Sequence, residues 1–451
     1  MKVISRALDY LKRNGPESTC YAAIQHLKDA GRDIGYELMI REERAKPEEL
    51  ARQKQEGKAF GVKISVIVPV FHPRADYLRE MVHSVLEQSY SLWELVLSDG
   101  SETPSAEAEK LAGLDERIRY VRAKEGGGIS DNTNIGLNSS TGDVTAFLDQ
   151  DDLLEPDALY RIAWAIKGGA QIVYTDEDKV TEDAGRHLSP YRKLDYNQDL
   201  LYGNNYICHF LAVKRSLAMG VGGFRSRYDG AQDHDFILRC TDAVDQKRIW
   251  HIPKVLYHWR MHGSSTSGNP SSKIYAYENG RRAVEDHLRK KGIDCQVRHT
   301  EHRGFFRTEY KEIPDPEPLV CFFGRNVVPL TERAKEVLSS YFVRPDVGAV
   351  GARILDRHGR ILSSGYYRDE DGRAVSYFEG MDPRMPGEMN LACLVMDVDA
   401  VSKYACVVRK SLAESEGLDP GHMDSWKLCS KIRRRGYKVL VDPMVLFQIR
   451  Q

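Results

Sequence analysis

The sequence predicts an α/β protein whose centre is a mostly parallel sheet flanked by helices. Three observations carry that expectation. From Lys63 onward, short apolar runs alternate with amphipathic segments of helical spacing. The runs are rich in Val, Ile and Leu and nearly continuous, as strands covered on both faces are. Three of them end in polar turns, and ligands of open parallel sheets bind at the carboxyl ends of strands.

Residues 1–60 read as a charged helical extension. Val3, Ile4, Ala7, Leu8 and Leu11 share one helical face, ringed by Lys2, Arg6, Lys12 and Arg13. That face suits either packing against the next domain or an anionic bilayer surface. Pro47-Glu48-Glu49 starts a helix with acids in its first turn. Ile64 to Val70 is the first strand, Tyr77 to Gln88 an amphipathic helix, and Trp93 to Leu97 the second strand. Ile118 to Val121 and Val144 to Leu148 follow as strands. Glu155 to Ile166 places Leu159, Ile162, Ala163 and Ile166 on one helical face, and Gln171 to Tyr174 is a further strand. Pro314-Asp315-Pro316-Glu317-Pro318 is a stiff linker. Beyond it Leu319 to Phe323 opens a new block, and Asp356 to Gly359 reads as a hairpin turn. The boundaries are therefore 1–60, 61–300 and 301–451.

Composition narrows the function. Lys plus Arg is 65 and Asp plus Glu is 66, so no global basic field invites nucleic acid. The eight cysteines are scattered without a CxxC pair, which suits reduced thiols in a cytoplasm. No apolar run approaches the roughly 20 residues of a membrane span, and Met1 to Tyr10 lacks a signal-peptide core. The expectation is a cytoplasmic protein with, at most, peripheral contact with the inner membrane.

The sharpest chemical signal is Asp149-Gln150-Asp151-Asp152, directly after the strand Val144 to Leu148. Three carboxylates in four residues repel one another unless a cation sits among them. Asp149 and Asp151, at i and i+2 on a turn, can converge on Mg²⁺ or Mn²⁺, and such an ion can hold a diphosphate. Asp152 reads as an N-cap for the helix at Glu155. A second acidic run, Asp176-Glu177-Asp178, either lines an acceptor site or is a strand end satisfied by Lys179.

Many motifs then occur in order. They are Pro69-Val70-Phe71, Glu87-Gln88-Ser89-Tyr90, Trp93-Glu94-Leu95, Ser98-Asp99-Gly100-Ser101 and the Asp149 cluster, followed by Tyr174 to Lys179, Pro190-Tyr191, Gly222-Gly223-Phe224, Asp229 to Asp235 and Tyr257 to Thr266. Together they resemble a family 2 glycosyltransferase of GT-A fold, in the bacterial surface-polysaccharide branch that includes O-antigen and rhamnan enzymes. The resemblance covers about 65 to 300. It implies a Rossmann-like domain taking a nucleotide-sugar donor and a glycan or lipid-linked acceptor.

The resemblance assigns residues. Pro69 and Val70 open the nucleotide pocket. Asp99 binds the donor base, and a carboxylate there accepts the imide N–H of uracil or thymine. Gly128, in a triple glycine that admits close backbone approach, and Asn132 lie near the donor; Thr133 stands where relatives often carry Arg. Asp151 is the direct metal ligand, while Asp149 reaches ribose or the metal through water. Asp233 is the general base, with Asp235 as runner-up or as an i+4 partner of Arg239. Arg260 forks onto the diphosphate, Ser264 sits in the closing loop, and His262 is either a third metal ligand or a donor to phosphate. One base opposite the leaving group implies inversion.

Residues 319–451 resemble the back half of a second GT-A module. Gly324-Arg325-Asn326 stands where the carboxylates should be, and the base motif near Asp424 is eroded. The expectation is a non-catalytic module that supports the first domain, binds acceptor glycan or makes a homo-oligomer. The rival reading of the whole chain is a glycan-binding scaffold; retention of Asp99, the metal pair and Asp233 weighs against it. A nucleotidyltransferase would want a basic Gly-rich loop after the first strand, and His72-Pro73-Arg74 supplies none.

Overall fold

In the computed structural model, residues 2–122, 127–262, 274–311, 318–414 and 424–450 are described. They form two compact units, one of residues 30–196 and 205–287, the other of 1–29, 197–204 and 288–451. The chain opens with α1 (Lys2–Glu43), interrupted by non-helical backbone at Gly15, and α2 (Pro47–Glu56). The side chains of residues 2–9, where the basic-ringed apolar face was expected, lie outside those described.

In the first unit, β1 (Ile64–Val70), α3 (Ala75–Leu86), β2 (Trp93–Asp99), α4 (Ala106–Ala112), β3 (Ile118–Arg122), α5 (Ile129–Ser139) and β4 (Val144–Phe147) alternate. The four strands are parallel in the order β3-β2-β1-β4. Ile64, Val66, Ile67 and Val68 pair with β2, whose Leu95, Val96 and Leu97 are equally buried. Burial on both faces explains why these runs show no polar alternation. After β4 come β5 (Leu153–Leu154), α6 (Ala158–Lys167), β6 (Ile172–Val180), β7 (His187–Tyr191), α7 (Gln198–Gly203), β8 (Leu211–Lys214), α8 (Arg215–Gly220), α9 (Gln232–Asp242), β9 (Ile249–Arg260) and α10 (Ile274–Lys290). Strand β8 is antiparallel to β4 and β6, β9 is parallel to β6, and β5 and β7 pair antiparallel with β9 and β6. Asp157, not Asp152, precedes α6; the expected capping role of Asp152 is corrected below.

The second unit begins with a hairpin, β10 (Cys295–His299) and β11 (Phe306–Tyr310). Its main sheet contains β12 (Leu319–Phe323), β13 (Val327–Pro329), β14 (Val347–Leu355) and β15 (Ile361–Ser363), with α11 (Ala334–Ser340) between β13 and β14. A small hairpin, β16 (Tyr366–Arg368) and β17 (Ala374–Ser376), precedes β18 (Met396–Asp397), β19 (Ala405–Arg409), α12 (Lys410–Glu414), α13 (Ser425–Arg434) and β20 (Lys438–Ile449). The path β12-β19-β14-β20-β13 repeats the path β4-β8-β6-β9-β5 pair by pair. In each, two antiparallel neighbours are followed by one parallel and one antiparallel neighbour. Strand β15 pairs with β14 as β7 pairs with β6. The second unit is thus a back half of the first, without counterparts of β1 to β3 among its described residues.

The division differs from the expected boundaries. Asp33 Oδ1 accepts from the Ser189 N–H at 2.6 Å, and Ile40 is buried with Val255, which ties residues 30–44 to the first unit. Arg384 pairs with Glu17 at 2.6 Å and lies over the Tyr21 ring, which ties residues 1–29 to the second. The β10–β11 hairpin also belongs to the second unit, so its start falls at Leu288 rather than at 301. Residues 312–317, most of the expected linker, lie outside the described residues.

Helix α7 lies within the first unit's stretch of sequence, yet it packs on β11 and β18 of the second. Its Asp199 is buried, and it meets the buried Arg344 guanidinium and, at 3.3 Å, the Lys438 ammonium. Arg344 also reaches Asp346 at 2.9 Å and the Tyr310 hydroxyl at 3.2 Å. Burial alone would raise the Asp199 carboxyl; the charges of Arg344 and Lys438 hold it below its ordinary range. Removing one member of such a buried pair strands the other. Asp199→Ala is therefore expected to destabilise the second unit by about 3–5 kcal/mol, read as a lowered denaturant midpoint for one of two unfolding steps.

Candidate active site

The turns after β1, β2 and β4 are bound to one another. Gln150 clamps Phe71, its Oε1 accepting from the Phe71 N–H at 2.9 Å and its Nε2 donating to the Phe71 carbonyl at 3.1 Å. The Ser101 hydroxyl accepts from the His72 N–H at 2.9 Å. Gly100 and Asn132 are in close approach, since a Cβ on Gly100 would sit 1.9 Å from the Asn132 amide. Asn132 is buried, and its Oδ1 has no hydrogen-bond partner among the described residues. Gly128 and Asp229 are in close approach, since a Cβ on Gly128 would lie 2.1 Å from Asp229 Oδ2.

Asp99 is wholly buried at the end of β2. Its Oδ1 accepts from the Ser101 N–H at 2.9 Å; its Oδ2 accepts from the Ser105 N–H at 2.8 Å and the Tyr120 hydroxyl at 2.6 Å, with Arg122 at 3.2 Å. Burial would raise this carboxyl, but these donors hold it below its ordinary range. Asp99 therefore organises its turn, and the expected open contact with a donor base is not the geometry found.

Asp149 and Asp151 are half-buried on the turn after β4, and Asp152 is fully buried beneath them. Asp152 accepts from the Tyr257 hydroxyl at 2.5 Å and from the Arg260 N–H at 2.8 Å. The Tyr257 hydroxyl also accepts from the Asp149 N–H at 3.4 Å. Burial, then the charges of Asp151 and Asp149, push the Asp152 carboxyl well up. It is the floor of the turn rather than a helix cap. His262 Nε2 lies 2.5 Å from Asp151 Oδ2, so the structure brings together this expected pair from β4 and the end of β9. The two carboxylates of the turn and the imidazole that follows β9 are oxygen and nitrogen donors of the kind a small divalent cation takes.

Arg260 is also fully buried. Its Nε donates to the Asp151 carbonyl at 2.7 Å, its Nη1 to the Glu182 carbonyl at 2.8 Å, and its Nη2 lies 2.6 Å from Glu80. Its guanidinium is over the Tyr77 ring. The expected fork onto a diphosphate is replaced by a brace under the carboxylate turn. Ser264 lies outside the described residues, as does Gly126.

Asp233 and Asp235 begin α9, but they differ. Asp235 is committed to Arg239 at 2.7 Å and Arg225 at 3.6 Å. Among the described residues, the side-chain partner of Asp233 is Gln232, whose Nε2 donates to Oδ2 at 3.1 Å. Burial lifts its carboxyl to about 6, with His209 pulling it down and Asp149 pushing it up. Asp233 and Asp149 thus feel each other across the crevice.

Sequence reasoning missed the residues beside Asp233. Lys193 is buried, its ammonium donating to Glu177 Oε2 at 2.9 Å, to the Ile207 carbonyl at 2.7 Å and to the His209 carbonyl. The His209 ring stacks on Tyr257, with centroids 4.6 Å apart. Alternation along β6 was the available signal: Asp176 and Asp178 have partners of their own, and Glu177 between them faces elsewhere.

Asp178, His187 and His258 form a buried group with metal-ligand spacing. Asp178 meets His258 Nδ1 at 2.6 Å and His187 Nδ1 at 2.8 Å; His258 Nε2 meets Glu155 at 3.0 Å, and His187 Nε2 faces the Arg44 guanidinium at 2.8 Å. Tyr36 donates to the same Asp178 at 2.8 Å. Every imidazole nitrogen has a hydrogen-bond partner, so protons fill the positions an ion would need. His258, between two carboxylates, is an imidazolium: burial opposes its charge, but Asp178 and Glu155 raise it to about 10.

Parallel β1 to β4 ending on a carboxylate turn, with a mixed back half carrying Asp233 and His262, define a GT-A-type α/β domain. Residues 65–221, about a third of the chain, match the profile of glycosyl transferase family 2. It is 43% identical over 245 residues to the Sinorhizobium fredii protein y4gI, covering 53% of this chain and 26% of that one. It is 35% identical over 239 residues to the O-antigen biosynthesis protein RfbC of Myxococcus xanthus, covering 52% and 18%. Chondroitin synthase of Pasteurella multocida is 27% identical over 208 residues, 45% of this chain and 21% of that one. The chain thus spans about a quarter or less of these relatives. Residues 1–349 of Staphylococcus aureus TarS superpose with a TM-score of 0.40 at 18% identity, covering 50% of this chain and 65% of that one.

A folded-state pKa raised from 6.5 to about 10 means the His258 network stabilises fully below pH 6.5 and loses that contribution as pH rises toward 10. Stability is expected to fall by about 1 kcal/mol per pH unit across that window. Thermal unfolding of the parent and His258→Gln between pH 6.5 and 10 checks this; the variant should show the flatter profile.

Proposed function

We propose that the chain is a metal-dependent, inverting glycosyltransferase that moves a sugar from a UDP- or dTDP-sugar to a lipid-linked or growing cell-surface glycan. The observation that carries this reading is the Asp151–His262 contact at 2.5 Å on the turn that holds Asp149, with Asp233 facing the same charge field. Asp149, Asp151 and His262 would hold Mg²⁺ or Mn²⁺, which offsets charge on a departing nucleoside diphosphate. Pro69, Val70, Gly128 and Asn132 are the proposed donor contacts; the unsatisfied Asn132 Oδ1 supports its place among them.

Asp233 is the proposed base. At about 6 its carboxyl is a stronger base than an ordinary aspartate, yet it is ionised at neutral pH. Asp235, held by two arginines, does not compete. A single base opposite the leaving group gives inversion. The names of the O-antigen and chondroitin relatives support a polysaccharide role. Among the described residues no helix is long and apolar enough to cross a membrane. Peripheral work at the cytoplasmic face, where lipid-linked acceptors are presented, is part of the proposal. The second unit, with Gly324-Arg325-Asn326 at the position of the carboxylate turn, is proposed as a non-catalytic support or glycan-holding module.

A thermal-shift screen of UDP-, dTDP-, GDP- and CDP-sugars with and without Mn²⁺ tests the reading. Saturation at about 100 Kd should add about 2.7 kcal/mol, and Asp151→Ala should abolish the metal-dependent part. Transfer is expected to rise through about pH 6 as Asp233 ionises and to fall at least 100-fold in Asp233→Asn. Unchanged turnover in both variants would favour the scaffold reading.

A further inference from the structure

Glu177 is a charged side chain nine-tenths buried, and only one of its carboxylate oxygens is hydrogen-bonded among the described residues. Its Oε2 takes the Lys193 ammonium at 2.9 Å and the His209 N–H at 3.3 Å. Its Oε1 accepts no hydrogen bond among the described residues. The three N–H donors of Lys193 are all spent, on Glu177 and on the carbonyls of Ile207 and His209. The ammonium thus fixes both the carboxylate and the 207–209 backbone, but it cannot reach Oε1. Oε1 is the open end of a carboxylate whose side chain keeps 10% of its exposure, so it can accept from a ligand.

The position of Glu177 says which ligand. It pairs in register with Tyr257 on β9, whose hydroxyl meets the Asp149 N–H and Asp152. The His209 ring lies parallel on Tyr257 and edge-on to Trp259, at 5.8 Å. Glu177 therefore stands in register with Tyr257, on which the His209 ring is stacked, toward the carboxyl end of β6 and β9. Burial raises the Cys208 thiol, and the charges of Glu177, Asp233 and Asp149 add to that shift. In a direct displacement the reacting carbon lies between the leaving diphosphate and the base. The ring of the transferred sugar must then lie between the Asp149 turn and Asp233. Flat rings beside a directed carboxylate suit a pyranose, which offers C–H faces and hydroxyl donors.

We propose that Glu177, aimed by the buried Lys193, accepts a hydrogen bond from one hydroxyl of the donor's transferred sugar and so selects which sugar is moved. This rests on the glycosyltransferase reading. Asp176 and Asp178, its neighbours, do not share the role: Asp176 is held by His251 at 2.8 Å and the Lys193 N–H at 2.8 Å, and Asp178 by His258 and His187.

The test is a double-mutant cycle on donor binding by the full chain. UDP-glucose, UDP-galactose, UDP-N-acetylglucosamine and dTDP-rhamnose are titrated with Mn²⁺ by calorimetry. The tightest is then compared with its singly deoxygenated sugar analogues in the parent and in Glu177→Gln. The variant should bind the nucleoside diphosphate within about twofold of the parent but the sugar nucleotide about tenfold more weakly. Loss of one particular hydroxyl should cost the parent about tenfold and the variant nothing. Should Glu177→Gln fail to fold, Glu177→Asp, which keeps the charge on a shorter stem, carries the same cycle. A parent that binds a sugar nucleotide but shows no coupling at any hydroxyl overturns this inference alone. A parent that binds none of the four overturns it together with the glycosyltransferase reading.

Discussion

Three carboxylates within one turn set the terms for the surrounding structure. Asp152 has no exposure and two acidic neighbours, so it must be held by donors from elsewhere in the fold. Tyr257 and the Arg260 N–H supply them, and both come from β9. The Arg260 side chain then braces the same turn from below through the Asp151 carbonyl. Strand β9 can do this only because it runs parallel to β6, which delivers its carboxyl end to the same edge as that of β4. The strained charge is concentrated where a cation and a diphosphate would relieve it.

A second buried layer lies alongside. Glu155 follows β5, Asp178 ends β6, His258 ends β9, and Arg44 and Tyr36 come from the helical segment after residue 30. These groups alternate in charge, which lets several ionised side chains share a dry region without a lone charge. Part of the N-terminal extension therefore belongs to the first unit: it closes this network, and its Ile40 is buried with Val255.

How much of this was legible in the residues follows from the range of the interactions. Strand β1, α3, β2 and the Asp149 turn were readable because each is specified by local periodicity or by clustered charge. The roles of Asp99 and Arg260 were not: both lie in familiar motifs, and only the fold shows that Tyr120, Arg122, Glu80 and Glu182 have already claimed them. Lys193 was invisible for the same reason, since its partners at 177, 207 and 209 come from separate segments. The domain boundary erred because linear reading assigns α7 to its sequence neighbours, whereas Asp199 is matched by Arg344, 145 residues away.

The repeated topology of the second unit separates what this back half needs to fold from what it needs to react. Strand β14 is buried throughout, as β6 nearly is, and β20 keeps the parallel pairing and the irregularity in register that β9 shows. Those features are apolar and survive. What differs is charge at the ends of strands: after β12 stands Gly324-Arg325-Asn326, and beside the break in register Arg353 occupies the place of Asp176. Arg353 is buried without a carboxylate partner, held by Ser364 and backbone carbonyls, and burial pulls its pKa down to about 10. Where the first unit places a carboxylate, the second places a buried cation. Packing thus sustains the fold in both units, while among the described residues the compensated acidic cluster at the strand ends is found in the first.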